Sequence, residues 1–150
     1  MNIPICTLSG DNQILTTGAV TYNHKKIASS VDIFNILSLL HHNAESSEIV
    51  YLIPISDLLV PVAIFIIGAG SQSAASFDFN KLFRILLLTN SKAYYVAHNH
   101  PSQNYIPSKN DINITRILLD LSSILQIKLI DHLIITNDNF YEICRNCKLV

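Results

Sequence analysis

The stretch that decides the fold is Ala93-Tyr-Tyr-Val-Ala-His98-Asn-His100-Pro101-Ser-Gln-Asn-Tyr-Ile-Pro-Ser108-Lys-Asn-Asp111. Its apolar opening predicts a buried strand, and Pro101 ends that strand because proline cannot donate to a ladder. Ser108 predicts the N-cap of a helix whose third residue is Asp111. The stretch therefore predicts a central strand, a short loop and a helix, which is the core of an α/β fold.

The same stretch brings together three side chains that bind metals. Residues two apart on a strand point to the same face, so His98 and His100 present their imidazoles together. Asp111 adds a carboxylate where the helix begins. Ser-x-x-Asp before a helix is by itself a common capping signal, but beside two histidines it also supplies a third ligand. Two imidazoles, one carboxylate and an open position for water are typical of catalytic zinc, so we expect Zn²⁺ at this site.

Composition narrows the class of protein. The chain has 150 residues, of which 49% are hydrophobic and 14% charged, as in a single globular domain with a large core. A net charge of −1, with scattered lysines and arginines, gives no signature for nucleic acid or for an anionic membrane. No signal peptide or membrane-spanning run is visible, and three cysteines do not form a secreted disulfide framework. We therefore expect a cytoplasmic protein.

The other predicted elements surround the central stretch. Residues 1–26 are expected to form an N-terminal hairpin extension, and residues 27–150 the main part of one compact domain. Ser29-x-x-Asp32 predicts a helix that runs to about Asn43, with His41 and His42 capping its last turn. Pro54 confines the following strand to a sheet edge or a strand end. The remaining predicted elements are a strand at 60–67, a helix at 79–89, a helix at 108–125, a strand at 127–135 and a strand at 140–143.

The spacing of His98, His100, Ser108 and Asp111 resembles the JAMM motif of the JAB/MPN-type metalloproteases. The flanking words at 97–102, 107–108 and 131–134 are similar to those of the RadC-like branch of that family, and the resemblance extends over roughly residues 27 to 145. It implies a JAB/MPN-like fold, with a mixed sheet flanked by helices and layered as in cytidine deaminases. Longer members of the branch also carry an N-terminal helix-hairpin-helix portion, which we do not expect in this chain.

The resemblance also implies a catalytic base. The family has a glutamate at the start of its first core strand; the matching residue is Glu48, with nearby Glu45 as the alternative. A metal-activated water would attack an amide carbonyl, Glu48 would carry the proton to the leaving amine, and the Ser108 hydroxyl would donate to the oxyanion. The expected substrate is a peptide or protein, such as a ubiquitin-like protein or a protein tail. The sequence leaves open the choice between peptide and isopeptide bonds and the oligomeric state.

Two departures from the family pattern lie near the site. Gln103 stands where a glycine usually follows the histidine motif, and residues 78–81 replace a usual His-Pro-Arg-Glu word. Neither departure involves a metal ligand, but both can reshape the substrate groove.

Other interpretations were weighed against the metalloprotease. A nucleotide deaminase is excluded, because that class needs a glutamate where His100 stands and a proline before Cys144. A separate structural zinc at Cys144 and Cys147 would need two more ligands, and only Cys6 and distant histidines remain. A non-catalytic JAB-domain interaction module, associated with DNA repair, stays open as the alternative function.

Asp131 and His132 interrupt a predicted apolar strand. They are interpreted either as a buried hydrogen-bonded pair or as a contact behind the metal ligands, and we do not expect His132 to be a ligand itself.

Overall fold

The computed structural model describes residues 1–40, 46–70 and 76–150, which form one mixed sheet and the helices that cover it. The strands lie in the order β2-β1-β4-β3-β5-β6-β7; the β1–β4 and β5–β6 pairs are parallel, and the other pairs are antiparallel. The predicted α/β class with a mixed, helix-flanked sheet is confirmed. In chain order the elements are β1 Asn2–Leu8, β2 Ile14–Thr21, α1 Ser30–Ser38, β3 Ile49–Ile55, β4 Ile64–Ala69, α2 Phe79–Leu88, β5 Ala93–Asn99, α3 Lys109–Leu125, β6 Lys128–Ile135, β7 Phe140–Glu142 and α4 Ile143–Asn146.

The sheet is buried on both faces. Helices α2 and α3 pack on one face, where the core includes Tyr94 and Val96 of β5. Helix α1 packs on the other face, where the core includes Tyr95 and Ala97. Alternate residues of β5 therefore enter opposite cores, as the pleat requires, and His98 continues the row that faces α3. This explains why the predicted central strand is apolar without a break.

The hairpin of β1 and β2 extends the same sheet, because β1 pairs in parallel with β4. The division of the chain at residue 26 stays a prediction. No helix within the described ranges is long and apolar enough to cross a membrane.

Helix α1 is shorter than predicted. It ends at Ser38, and the backbone N–H groups of Leu39 and Leu40 donate to carbonyls three residues earlier, which tightens the last turn and closes the helix. The predicted end at Asn43, the capping histidines His41 and His42, and the alternative base Glu45 lie outside the described residues.

Strand β3 is internal, between β4 and β5, so the edge position that Pro54 suggested is wrong and the strand-end position is correct. The β3–β4 ladder stops at Leu52, so Pro54 lies beyond the pairs that need its missing N–H. Strand β4 starts at Ile64, later than predicted, and β7 ends at Glu142, where the short helix α4 begins. That helix was not predicted.

Candidate metal centre

Three elements meet at one edge of the sheet and carry four candidate ligands. His98 is in β5, His100 follows the strand by one residue, Asp111 is in the first turn of α3, and Glu48 immediately precedes β3. Strands β3 and β5 are antiparallel, and the register that pairs Val50 with His98 brings the start of β3 beside the end of β5. The ligand atoms of the four residues all lie within 4.8 Å of one another.

The shortest separations centre on His98. Its Nε2 lies 3.0 Å from Nε2 of His100, 3.2 Å from Oδ1 of Asp111 and 3.8 Å from Oε1 of Glu48. Ligand atoms about 2.0–2.2 Å from a tetrahedral zinc lie roughly 3.3 Å apart, which is close to the separations among the two histidines and Asp111. Glu48 lies farther out, at the distance of a group that acts through water.

The tautomer of His100 supports the same interpretation. Its Nδ1 lies 2.5 Å from the carbonyl oxygen of Asn104. A carbonyl oxygen only accepts, so Nδ1 carries the hydrogen, and a neutral His100 directs the lone pair of Nε2 at His98. Two ring nitrogens 3.0 Å apart with converging lone pairs need a cation or a shared proton between them. The donor set therefore fits a divalent metal.

The electrostatics of the site favour a charged carboxylate. Burial raises the pKa of Asp111, but the two imidazoles beside it, His100 and His98, outweigh that effect, and the pKa of Asp111 lies below its usual range. The neighbouring Asp111 carboxylate raises the pKa of His100. Burial raises the pKa of Glu48, against the lowering effect of the two histidines. A carboxylate with lowered proton affinity, Asp111, and one with raised proton affinity, Glu48, thus lie side by side.

Ser108 and Asp111 form the predicted capping box, and Asp111 also faces the histidines. The Ser108 hydroxyl accepts from the Asp111 N–H at 3.1 Å, while the Ser108 N–H donates to Oδ2 of Asp111 at 2.7 Å. Oδ1 of Asp111 is the atom nearest His98. Capping and metal binding are therefore compatible at this residue: Oδ2 caps the helix and lies 3.6 Å from Nε2 of His100, while Oδ1 faces His98. Ser108 itself is exposed at the mouth of the site.

The side chains of Asp131 and His132 do not bond to each other. The Asp131 carboxylate accepts from the backbone N–H groups of His132, Cys144 and Arg145, and so caps the start of α4. The His132 ring is buried on the other face, with Nε2 2.9 Å from Nδ1 of His98. His132 thus contacts a candidate ligand from behind and is not part of the four-residue cluster.

Thr115 was missed from the sequence. Its hydroxyl lies 2.7 Å from Nδ1 of His132 and donates to the carbonyl oxygen of Asp111 at 2.6 Å. The spacing of four residues from Asp111 places both on one helix face, and that signal could have indicated it.

Gln103 takes the backbone conformation that a glycine would favour. Its φ is +63°, in the left-handed region. Its side-chain oxygen accepts from the Asn137 N–H at 2.8 Å and so ties the loop after β5 to the turn before β7. The loop therefore keeps a shape typical of glycine and gains a cross-link.

The cysteines lie apart from this centre. Cys6 and Cys144 are buried, Cys147 is half-buried, and all three are free thiols. Within the described ranges, the candidate metal cluster contains no cysteine.

Comparison with known proteins identifies a family model and several relatives that match this chain. A family model described as RadC-like JAB domain matches residues 27–147. A UPF0758 protein of Clostridium beijerinckii is 30% identical over 121 residues, which cover 81% of this chain and 52% of the relative. A UPF0758 protein of Alkaliphilus oremlandii is 34% identical over 130 residues, which cover 85% of this chain and 54% of the relative. The chain spans about half the length of these curated relatives, whose names specify no reaction.

Proposed function

This chain belongs to the RadC-like JAB domain family, and we propose that it is a zinc-dependent hydrolase that cleaves peptide or isopeptide bonds. The observation that carries the proposal is the convergence of two imidazole nitrogens and a carboxylate within ligand distance of one another, with Glu48 just outside them. His98, His100 and Asp111 would hold the ion. When bound, zinc lowers the pKa of a water ligand toward ~7 and polarises a carbonyl oxygen.

Glu48 is the proposed general base. Its carboxylate is half-buried and lies 3.8 Å from Nε2 of His98, so it borders the place where a nucleophilic water would stand. Burial raises its pKa, which makes it a better proton acceptor than an exposed carboxylate. Glu48 would take a proton from the attacking water and deliver it to the amine nitrogen as the C–N bond breaks.

Ser108 is the proposed donor to the oxyanion. Its oxygen accepts from the Asp111 N–H, and a hydroxyl that accepts one bond can still direct its own proton elsewhere. Because Ser108 is exposed next to a proposed ligand, an incoming carbonyl oxygen can reach it. A single donor of this kind contributes roughly 3 kcal/mol to transition-state stabilisation.

The dimensions of the site favour a substrate that is presented from outside. A space of about 10 Å³ at the site is bordered by the polar residues Glu48, His98, Asp111 and His132 and by the apolar residues Val50, Phe77 and Ile114. That is room for roughly one water molecule or ion, and not for a side chain. The scissile carbonyl would therefore approach the open side, as an extended peptide or a protein tail allows. Tyr105 and Ile106, exposed on the adjacent loop, offer apolar contacts there.

The experiment that tests this proposal is cleavage of a peptide library. The zinc-loaded full chain is incubated with proteome-derived peptides whose amines are blocked, and with a ubiquitin-fusion isopeptide, and mass spectrometry identifies new amines. Glu48→Gln should retain zinc and lose cleavage, because the amide cannot accept the proton from water. Asp120→Asn, which removes an exposed carboxylate of α3, is the matched control and should cleave as wild type does.

Two results would contradict the hydrolase. If Glu48→Gln cleaves as fast as wild type, the base is misassigned. If zinc-loaded wild type leaves every substrate intact yet binds a peptide as tightly as Glu48→Gln does, the alternative of a non-catalytic interaction module is correct.

A further inference from the structure

A buried chain of hydrogen bonds joins two of the proposed ligands behind the site. It runs from Nδ1 of His98 to Nε2 of His132 (2.9 Å), from Nδ1 of His132 to the Thr115 hydroxyl (2.7 Å), and from that hydroxyl to the carbonyl oxygen of Asp111 (2.6 Å). All four residues are at least nine-tenths buried. This hydrogen-bond chain begins at the proposed ligand His98 and ends on the backbone of the proposed ligand Asp111.

The donor and the acceptor of every bond in this hydrogen-bond chain follow from the last bond, which the Asp111 carbonyl oxygen accepts. A carbonyl oxygen only accepts, so Thr115 donates its one proton to Asp111 and must accept from Nδ1 of His132. With that hydrogen on Nδ1, Nε2 of the His132 imidazole offers its lone pair and accepts from Nδ1 of His98, 2.9 Å away. Nδ1 of His98 therefore carries the hydrogen.

A bulge in strand β6 directs the side chain of His132 toward α3. Tyr94 pairs with Leu129, but Tyr95 pairs with Asp131, so β6 contains one extra residue at Ile130. With strict alternation, His132 would share the face of Ile130, which packs in the core under α1. The bulge reverses the alternation and turns His132 toward His98 and Thr115.

From this geometry we infer that His132 is a positioning residue, which with Thr115 holds His98 in the tautomer whose Nε2 lone pair faces the metal. The inference rests on the proposed metal centre, because the lone pair matters only if His98 is a ligand. A metal ligand whose other ring nitrogen is fixed by a hydrogen bond loses less freedom on binding. Asp131, by contrast, acts on α4 and has no part in this chain.

The decisive comparison is Thr115→Val against Ser122→Ala. Valine has nearly the shape of threonine but removes the hydroxyl that orients His132. Ser122 is also buried on α3 and bonds to the Tyr94 hydroxyl at 2.6 Å, but it contacts no proposed ligand. Ser122→Ala therefore loses one buried hydrogen bond and leaves the hydrogen-bond chain from His98 to Asp111 intact. Zinc affinity, measured by competition with a chromophoric chelator, should fall about 10–100-fold in Thr115→Val and stay unchanged in Ser122→Ala.

Two further variants at position 132 separate positioning from packing. The amide oxygen of His132→Gln can accept from Nδ1 of His98, whereas His132→Leu offers no acceptor. His132→Gln should therefore retain more zinc affinity than His132→Leu. Equal affinity in the two variants would overturn the assignment.

Histidine tautomers give a readout that does not depend on metal. In metal-free protein at pH 8, ¹⁵N NMR should show His98 with its hydrogen on Nδ1 in wild type, and a mixture or the reverse in Thr115→Val. A wild-type His98 with hydrogen on Nε2, or no change of tautomer and affinity in Thr115→Val, would overturn the inference. If wild type binds no zinc, the proposed function fails. The NMR result still decides whether His132 and Thr115 set the tautomer of His98.

Discussion

At the scale of single residues, Gln103 shows how a non-glycine residue keeps a glycine conformation. Its φ of +63° disfavours any side chain, yet that side chain bonds to the Asn137 N–H. A left-handed conformation costs roughly 1–2 kcal/mol for a residue with a Cβ, while the side chain's bond from the Asn137 N–H and its longer bond to the His100 carbonyl, at 3.4 Å, return about 1 kcal/mol. The two terms nearly cancel, so the loop tolerates glutamine at this position.

We predict that Gln103→Gly changes the free energy of unfolding by less than about 1 kcal/mol, because relief of the backbone offsets loss of the cross-link. Gln126→Gly is the control. Gln126 also has a positive φ, of 56°, at the end of α3, and its side chain makes no hydrogen bond within the part of the chain described above. It should be stabilised by about 1 kcal/mol. Urea unfolding measures both variants, and an equal gain in the two would show that the Asn137 contact contributes nothing.

At the scale of elements, the start of α3 combines a cap with a ligand, and the two roles are separable in Asp111→Asn. The amide oxygen can still accept from the Ser108 N–H, so the metal-free variant should unfold within about 1 kcal/mol of wild type. The negative charge is lost, so zinc affinity should fall by more than the roughly 100-fold expected for a residue behind the ligands. Thermal unfolding and chelator competition measure the two effects. Retained zinc affinity would remove Asp111 from the ligand set.

Elements also show how far the sequence predicts the site. The proposed ligands His98, His100 and Asp111 lie in one strand–loop–helix unit, so spacing alone brings them together. Glu48 comes from another strand and depends on the β3–β5 register, which local patterns do not encode, so it needed the family resemblance.

Features that depend on distant contacts were missed. The His132–Thr115 link requires the bulge in β6, and bulges leave little trace in hydrophobic periodicity. The short helix α4 is capped by Asp131 from β6, a long-range contact that no local signal announces. Helix α1 ended early for a different reason: its apolar spacing continues past the point where the last turn tightens.

At the scale of the whole molecule, the fold builds the site from an outer and an inner group of residues. The ends of β3 and β5 hold the outer side, with Glu48 and His100 half-buried at the edge of the sheet. Helix α3 and β6 close the inner side with buried polar groups inside an apolar core. The match to the RadC-like JAB domain over residues 27–147 covers all of these residues. The central claim is therefore that this arrangement of elements holds one metal ion.

Anomalous diffraction at the zinc absorption edge, from crystals of the zinc-loaded chain, tests that claim most directly. The account predicts a single strong peak about 2.0–2.2 Å from Nε2 of His98, Nε2 of His100 and a carboxylate oxygen of Asp111, with Glu48 outside bonding distance. A peak bonded to His132 or to the cysteines, or no peak between His98 and His100 at saturating zinc, would contradict it.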